Sequence, residues 1–151
     1  MKTKLLLFVF IFALLNIKCQ NIPLYVGTYT DGDSEGIYQF QFNTETGELN
    51  TKSLAVSTEN PSFITFSTDK KHIYAVSEGS TSAVSSFKVL EDGSLKLVNS
   101  VSSNGKGPCH VSINQLGDKA VVSNYGGGTV SIYNIKDDGP LNNAHQVFNH
   151  N

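Results

Sequence analysis

The sequence predicts an all-β protein made of repeated units with four short strands each. The segment PSFITFSTDKKHIYAVSE, which begins at Pro61, matches PCHVSINQLGDKAVVSNY, which begins at Pro108, at a spacing of 47 residues without a gap. Apolar and polar residues alternate within both segments, as is typical of half-buried strands, and Gly, Asp and Asn turns separate them. No segment after residue 20 shows helical periodicity over three turns. A four-stranded repeat of about 45 residues is the size of one antiparallel β-propeller blade.

Residues 1–20 are predicted to be a secretory signal peptide and not part of the fold. MKTK supplies a positive n-region, and LLLFVFIFALL is an apolar run too short to span a bilayer. We therefore expect cleavage near residue 20, export to the periplasm or the extracellular space, and no membrane span. A lipid anchor at Cys19 is the alternative, but a bacterial lipobox has leucine three residues before the cysteine and a small residue directly before it. This chain has Asn16 and Lys18 at those positions.

The remaining residues divide into three predicted blades. The first, 21–58, lacks its inner strand, because LYVGTYT matches the second strand of the later units. The second, 59–104, is a complete blade, and residues 105–151 form the third. Strands of the second blade are expected near residues 62–67, 72–77, 83–89 and 95–102. The EDG and DDG segments are expected to form tight hairpin turns.

Three blades are fewer than a closed propeller requires, since such rings typically have four to eight. We expect this chain to be the N-terminal portion of a longer propeller whose remaining blades are missing, so that the ring is not closed. The inner strand of the first blade would then come from the far C-terminus of the longer protein. A β-sandwich is the structural alternative, but a sandwich does not predict a 47-residue self-match.

Charge and composition exclude several classes of function. The 11 lysines nearly balance the 13 acidic residues, which gives no electrostatic basis for binding nucleic acid or an anionic membrane. The chain has no arginine, the usual bidentate clamp for phosphate and carboxylate. No Cys/His cluster has zinc-ligand spacing, and DGDSEG has Phe42 where a calcium loop needs glutamate. We therefore expect neither a metal nor a cofactor.

Several segments together resemble the bacterial lactonase family with a seven-bladed propeller, which includes propeller-type 6-phosphogluconolactonases and has fungal carboxymuconate-lactonising relatives. These segments are YVGTYT with GIYQFQFNTETGEL, NPSFITFS, IYAVSE, GPCHVSIN and VVSNYGGGTVSIYNI, in the family's order over residues 22–151. The resemblance implies a hydrolase that converts a small sugar lactone to the aldonic acid by general-base attack of water. The family's later blades carry an Arg-Gln-Glu stretch and a histidine-rich strand start, which this chain lacks. We therefore expect this piece alone to be inactive.

Two residues are candidates for catalysis, and both lie at strand ends that would face the central channel. His110 begins an inner strand, in register with Phe63 of the preceding unit, and the match of GPCHVS to the family favours it as an acting residue over a structural histidine. Strand alternation would then direct Cys109 into the packing of the blade. Glu78 ends a second strand and is predicted to act as a general base or to orient a histidine. The alternative for Glu78 is a solvated turn residue.

Three further residues are candidates for binding substrate. Asn124 and Tyr125 follow the second strand of the third unit, where they would donate hydrogen bonds to a substrate or a developing oxyanion, or else only shape the turn. Tyr125 aligns with Tyr29 and Glu78 of the earlier units. Asn60 before Pro61 is expected to line the channel, although Asn-Pro also opens ordinary turns.

A binding module from a different class is the second hypothesis. In that case the chain belongs to a non-catalytic extracellular β-propeller whose channel is only a structural hub. Arginine and histidine at strand starts of later blades would favour the enzyme, whereas Val, Ala or Ser would favour the module. Export is evidence against a cytosolic role, so an unphosphorylated aldonolactone is at least as reasonable a substrate as a phosphorylated one.

Overall fold

The computed structural model describes residues 21–150, which are all β and contain no helix. The strands are β1 (Asn21–Val26), β2 (Gly36–Asn43), β3 (Leu49–Ser57), β4 (Ile64–Phe66), β5 (His72–Ser77), β6 (Ala83–Val89), β7 (Leu95–Ser102), β8 (Pro108–Ile113), β9 (Lys119–Asn124), β10 (Thr129–Asn134) and β11 (Gln146–Asn149). The described part of the chain accordingly has no helix of the length and hydropathy needed to cross a membrane. The predicted signal peptide and Cys19 lie outside the described residues.

The strands form three antiparallel sheets in chain order. The first has the order β1-β2-β3, the second β4-β5-β6-β7, and the third β8-β9-β10-β11. Each sheet is a meander in which neighbouring strands in the chain also pair in space, as in a propeller blade. The predicted all-β propeller architecture is therefore confirmed, and the three sheets do not close into a ring.

The sequence repeat is preserved at the level of cross-strand pairs. In the second sheet, Ile64 pairs with Ala75, and in the third sheet, Val111 pairs with Val122. Each residue of the second-sheet pair lies 47 positions before its counterpart in the third sheet. The self-match in the sequence therefore corresponds to one structural unit used twice.

Strand β4 begins at Ile64, later than the alternation pattern predicts. Asn60 has a positive φ of 40°, and the backbone N–H of Ser62 donates to the carbonyl of Asn60 at 2.7 Å. This turn keeps the chain before Ile64 out of the regular ladder, although the Phe63 carbonyl still accepts from the N–H of Val76 at 3.0 Å. Local turn geometry at Asn60 therefore shortens the strand.

Two hydrophobic cores lie between neighbouring sheets. The core between the first and second sheets contains Tyr25, Ile37, Ala55, Ile73, Ala75, Phe87 and Leu95. The core between the second and third contains Tyr74, Val76, Val84, Val111, Ala120, Val122, Tyr133 and Leu141. Because each core is shared by two sheets, apolar burial stabilises the packing of one sheet on the next.

A tyrosine from each of the first two sheets docks onto the hairpin turn of the following sheet. The hydroxyl of Tyr25 donates to the carbonyl of Gly93 at 2.8 Å, and that of Tyr74 donates to the carbonyl of Gly139 at 3.0 Å. Gly139 has a φ of +92°, and a Cβ there would collide with the ring of His72. The glycine of the DDG turn is therefore required both by backbone geometry and by close packing between sheets.

Candidate functional site

The predicted site residues lie at one end of the second and third sheets. In an antiparallel pair, the start of one strand lies beside the end of the next. The N–H of Glu78, after β5, donates to the carbonyl of Asn60 at 3.1 Å, and the N–H of Tyr125, after β9, donates to the carbonyl of Gly107 at 2.9 Å. Phe63 and His110, near the starts of the inner strands, therefore lie at the same end of their sheets as Glu78 and Tyr125, which follow β5 and β9.

Glu78 is bound by a tyrosine from the neighbouring sheet. The hydroxyl of Tyr29, in the loop after β1, donates to Oε2 of Glu78 at 2.7 Å. This hydrogen bond raises the pKa of the Tyr29 phenol, and partial desolvation adds to the effect. The direction follows because ionising the phenol would remove the donor and place a second negative charge beside the carboxylate.

Tyr29 also lies beside the residues that begin the two inner strands. The side chain of Ser62 lies near enough to lower the pKa of the Tyr29 phenol, and that of Cys109 lies near enough to raise it. Ser62 Oγ is buried and makes no hydrogen bond with any described residue. Tyr29, Glu78, Ser62 and Cys109 thus lie near one another where the three described sheets converge. We call these four residues, together with Phe63 and His110, the site corner.

His110 is exposed to solvent and lies against an aromatic ring. Its imidazole centroid is 4.4 Å from that of Phe63, with the ring planes tilted by 45°. The structure shows no hydrogen bond between His110 and Glu78. A ligand at the site corner would therefore contact the two groups separately, with the imidazole supported by Phe63 from the equivalent position of the preceding sheet.

A β-bulge at Cys109 removes the alternation on which its predicted orientation depends. Pro108 pairs with Asn124 and His110 with Ser123, so Cys109 is an extra residue in the ladder. Its thiol is free and half-buried, with Sγ 3.6 Å from the carbonyl of Ser123. Because bulges locally redirect side chains, strict alternation does not apply to this pair.

Asn60 is buried and holds the loop that carries Tyr29. Its Oδ1 accepts hydrogen bonds from the backbone N–H of Thr30 at 2.7 Å and from the Thr30 hydroxyl at 3.0 Å. Its own backbone carbonyl accepts from Ser62 and Glu78. The structure thus gives Asn60 a bracing position behind the site corner.

The last two candidates differ sharply in exposure. Asn124 is only 2% exposed, and its Nδ2 donates to the carbonyl of Ser103 at 3.0 Å and to the hydroxyl of Thr129 at 3.1 Å. Asn124 therefore lies out of reach of a ligand from solvent and braces the third sheet against the second. Tyr125 is 89% exposed and is open to a ligand.

Two cavities lie away from the site corner. One cavity of about 240 Å³ is lined by Asp69, His72 and Asp118 among others, at the opposite end of the second and third sheets. A second, of about 520 Å³, shares His72 and adds Lys88 and Lys96. Within residues 21–150, no group of three or more His, Cys, Asp and Glu side chains is arranged to hold a metal ion.

Sequence reasoning missed Tyr29 and Ser62 as members of the corner. The repeat alignment places Tyr29 in register with Glu78, which marks the two as equivalents in successive sheets and gives no sign that they touch. The contact arises only because the loop after β1 reaches across to the end of β5. Ser62 occupies the position equivalent to Cys109 in the preceding repeat. That equivalence was the sequence signal that could have indicated Ser62 as a member of the corner.

The fold and the arrangement of the corner define a β-propeller with a polar cluster at the inner strand starts. A family model described as a lactonase with a seven-bladed β-propeller matches residues 23–151. The chain therefore belongs to this lactonase family, and the resemblance recognised in the sequence is confirmed.

Several relatives are similar over most of this chain. A 6-phosphogluconolactonase of Bacillus subtilis is 32% identical over 78% of the chain, and one of Formosa agariphila is 32% identical over 83%. A solved structure from Bacteroides uniformis has a TM-score of 0.80 at 40% identity over 86% of the chain and 38% of its own. A periplasmic gluconolactonase of Pseudomonas aeruginosa has a TM-score of 0.79 at 28% identity, over 85% of this chain and 38% of its own.

The matches cover a limited part of each relative. The chain spans 34% of the Bacillus subtilis protein and 37% of the Formosa agariphila protein. It thus corresponds to about a third of the length of the curated relatives that it matches.

Proposed function

We propose that the full-length protein is an exported lactone hydrolase that opens a sugar lactone to the corresponding aldonic acid, and that this chain is its N-terminal portion. The observation that carries the proposal is membership of the lactonase family combined with the site corner, where Glu78 and His110 lie at the same end of adjacent sheets. By itself, the chain supplies only part of the site.

The proposed reaction uses water as the nucleophile. The Glu78 carboxylate removes a proton from a water molecule, whose oxygen forms a bond to the lactone carbonyl carbon. The carbonyl oxygen becomes an oxyanion, which hydrogen-bond donors such as the Tyr125 hydroxyl stabilise. The ring C–O bond then breaks as His110 gives a proton to the departing alkoxide, and the proton held by Glu78 returns to His110 through solvent, which restores both groups. The products are the free hydroxyl and the carboxylic acid, without a covalent enzyme intermediate.

The proposed substrate is an unphosphorylated aldonolactone. Export through the predicted signal peptide would separate the protein from cytosolic sugar phosphates, and the Pseudomonas aeruginosa relative is a periplasmic gluconolactonase. The Bacillus subtilis relative is named a 6-phosphogluconolactonase, so the phosphorylated and unphosphorylated lactones must be compared directly.

The experiment is a substrate comparison on the full-length protein. Hydrolysis of δ-gluconolactone and of its 6-phosphate is followed by acid release in a pH-stat, with the spontaneous rate subtracted. We expect a higher kcat/KM for the unphosphorylated lactone. A preference for the phosphate would overturn the substrate assignment, and the absence of turnover with both would favour the non-catalytic binding module. Fractionation of cells that express the full-length protein, with a cytosolic marker enzyme as the control, tests export.

A further inference from the structure

We infer that Tyr29 is a positioning residue that orients the Glu78 carboxylate, with one carboxylate oxygen held and the other left open toward the ligand. This inference deepens the proposed function, because it rests on Glu78 acting as the base of that reaction. Sequence alignment of the repeats assigns no role to Tyr29.

The Tyr29–Glu78 hydrogen bond makes the two oxygens of the Glu78 carboxylate different. Oε2 of Glu78 accepts the Tyr29 hydroxyl at 2.7 Å, while no described residue donates a hydrogen bond to Oε1. Glu78 is half-buried, and Tyr29 is 58% exposed. A base held through one oxygen has fewer orientations available, so the open oxygen is pre-aligned for the proton that it accepts.

The loop that carries Tyr29 is fixed on both sides of it. The Thr28 hydroxyl donates to the carbonyl of Gly36 at 2.7 Å, and Thr30 is bound through its N–H and hydroxyl to Asn60. Gly27 packs so closely on the carbonyl of Pro61 that a Cβ would have no room. The phenol therefore extends from a clamped backbone, as a positioning group requires.

Asn60 connects the two partners of the pair. Its side chain binds Thr30, next to Tyr29, and its backbone carbonyl accepts the N–H of Glu78 at 3.1 Å. One residue thus fixes the backbone on both sides of the Tyr29–Glu78 hydrogen bond, although the two partners belong to different sheets. The titratable groups that act on Tyr29 are Glu78 and Cys109.

The test combines a titration with kinetics, both on the full-length protein. Tyrosine labelled with 13C at Cζ is titrated by NMR, and the signal of Tyr29 is identified by its loss in Tyr29→Phe. We expect Tyr29 to titrate above its ordinary value of 10.0 and to move toward that value in Glu78→Gln. Glu59→Gln is the matched control, because Glu59 is a carboxylate at the same end of the sheet that binds Ser80 instead of a tyrosine. The control should leave the Tyr29 titration and turnover unchanged.

In the kinetic arm, Tyr29→Phe should lower kcat/KM about tenfold or more, since a hydrogen bond to a charged group is lost. The loss should fall on kcat more than on KM, because a misaligned base slows the chemical step while the lactone still binds. Adding Tyr29→Phe to Glu78→Gln should cost little further activity, whereas a purely structural role would give additive losses.

Three outcomes would overturn the inference, each in a different way. If Glu78→Gln leaves the Tyr29 titration unchanged, the two groups do not interact. If the titration responds but Tyr29→Phe retains the wild-type kcat and KM, the contact exists without a positioning role. If the wild-type protein hydrolyses no lactone, the proposed function is wrong and Tyr29 has no catalytic base to position. The titration would still show whether Tyr29 and Glu78 interact.

Discussion

At the scale of single residues, the site corner depends on a small number of polar contacts between sheets. Tyr29 and Glu78 join the first sheet to the second, and Phe63 and His110 join the second to the third. Ser62 and Cys109 occupy equivalent positions at the starts of the inner strands, but only Cys109 is a bulged residue within the ladder. The chemistry of the corner therefore depends on side chains supplied by three sheets.

The first prediction concerns His110 and Cys109, compared side by side in the full-length protein. His110→Ala should reduce kcat/KM for the lactone about a hundredfold or more, the usual scale for a lost acid–base group. Cys109→Ser should leave turnover nearly unchanged and cost no more than about 1 kcal/mol, because the hydrogen bond of the half-buried thiol, to the carbonyl of Ser123, is weak. Loss of turnover in Cys109→Ser, at unchanged melting temperature and with His110→Ala silent, would reverse the assignment.

The second prediction concerns the bracing role of Asn60. Asn60→Ala should lower the free energy of unfolding by about 2 kcal/mol, because it removes the acceptor of two hydrogen bonds and places alanine at a left-handed φ of 40°. Asn60→Asp keeps an acceptor and serves as the control, with a smaller loss. Denaturant unfolding measures both. Equal losses in the two variants would contradict the proposed role of Oδ1.

At the scale of elements, the hairpin turns hold neighbouring sheets together. Tyr74 and Ser86 both donate to the carbonyl of Gly139, at 3.0 and 2.8 Å. Asn99 forms a pair of hydrogen bonds with the backbone of Leu141, two residues further along the same turn. This turn is thus an extensive polar contact between the second and third sheets.

The third prediction compares two glycines that share a left-handed backbone. Gly139→Ala should destabilise by more than about 3 kcal/mol, since the new Cβ would add a collision with the His72 ring to the conformational strain. Gly47→Ala, at a φ of +75° with open space around it, should cost only about 1 kcal/mol. Thermal unfolding of the two variants tests the difference. Similar melting temperatures would show that the turn does not pack on His72.

The fourth prediction follows from the pKa of Tyr74, which burial raises to about 12. The folded protein holds the proton more tightly than the unfolded chain, whose tyrosine titrates near 10.0. This contribution to stability is therefore complete below about pH 10 and is lost as the pH rises toward 12. Allowing for solvent screening, it amounts to on the order of 1 kcal/mol. Between pH 9 and about 12, the free energy of unfolding measured in urea should fall more steeply with pH in wild type than in Tyr74→Phe. Parallel pH dependences in the two proteins would contradict this prediction.

At the scale of the whole molecule, the cores lie between sheets, and the outermost sheet faces have no such neighbour in this structure. Ile22, Leu24 and Val26 of β1 are 43%, 38% and 37% exposed, and Val147 and Phe148 of β11 are also exposed. β1 is moreover an edge strand of its sheet. Uncovered apolar faces and unpaired edges favour association.

The fifth prediction is that residues 21–151, expressed alone, will self-associate and unfold with low cooperativity. Light scattering coupled to size-exclusion chromatography measures the first property, and the breadth of the thermal transition measures the second. The full-length protein is the control and should be less prone to associate. A monomeric piece with a sharp transition would contradict the expectation that the remaining blades cover these faces.

The sequence alone determined the fold class, because period-2 alternation and the 47-residue repeat are local properties of the chain. It also placed Glu78 and His110 at the same end of their sheets, since strand ends follow from strand order. The tertiary structure decided which side chains meet. The Tyr29–Glu78 hydrogen bond joins residues 49 positions apart in different sheets, and the burial of Asn124 depends on packing against Ser103. The bulge at Cys109 likewise arises from pairing with β9, which alternation along one strand does not encode. Such contacts depend on how the sheets pack against each other, and the sequence of a single strand does not determine that packing.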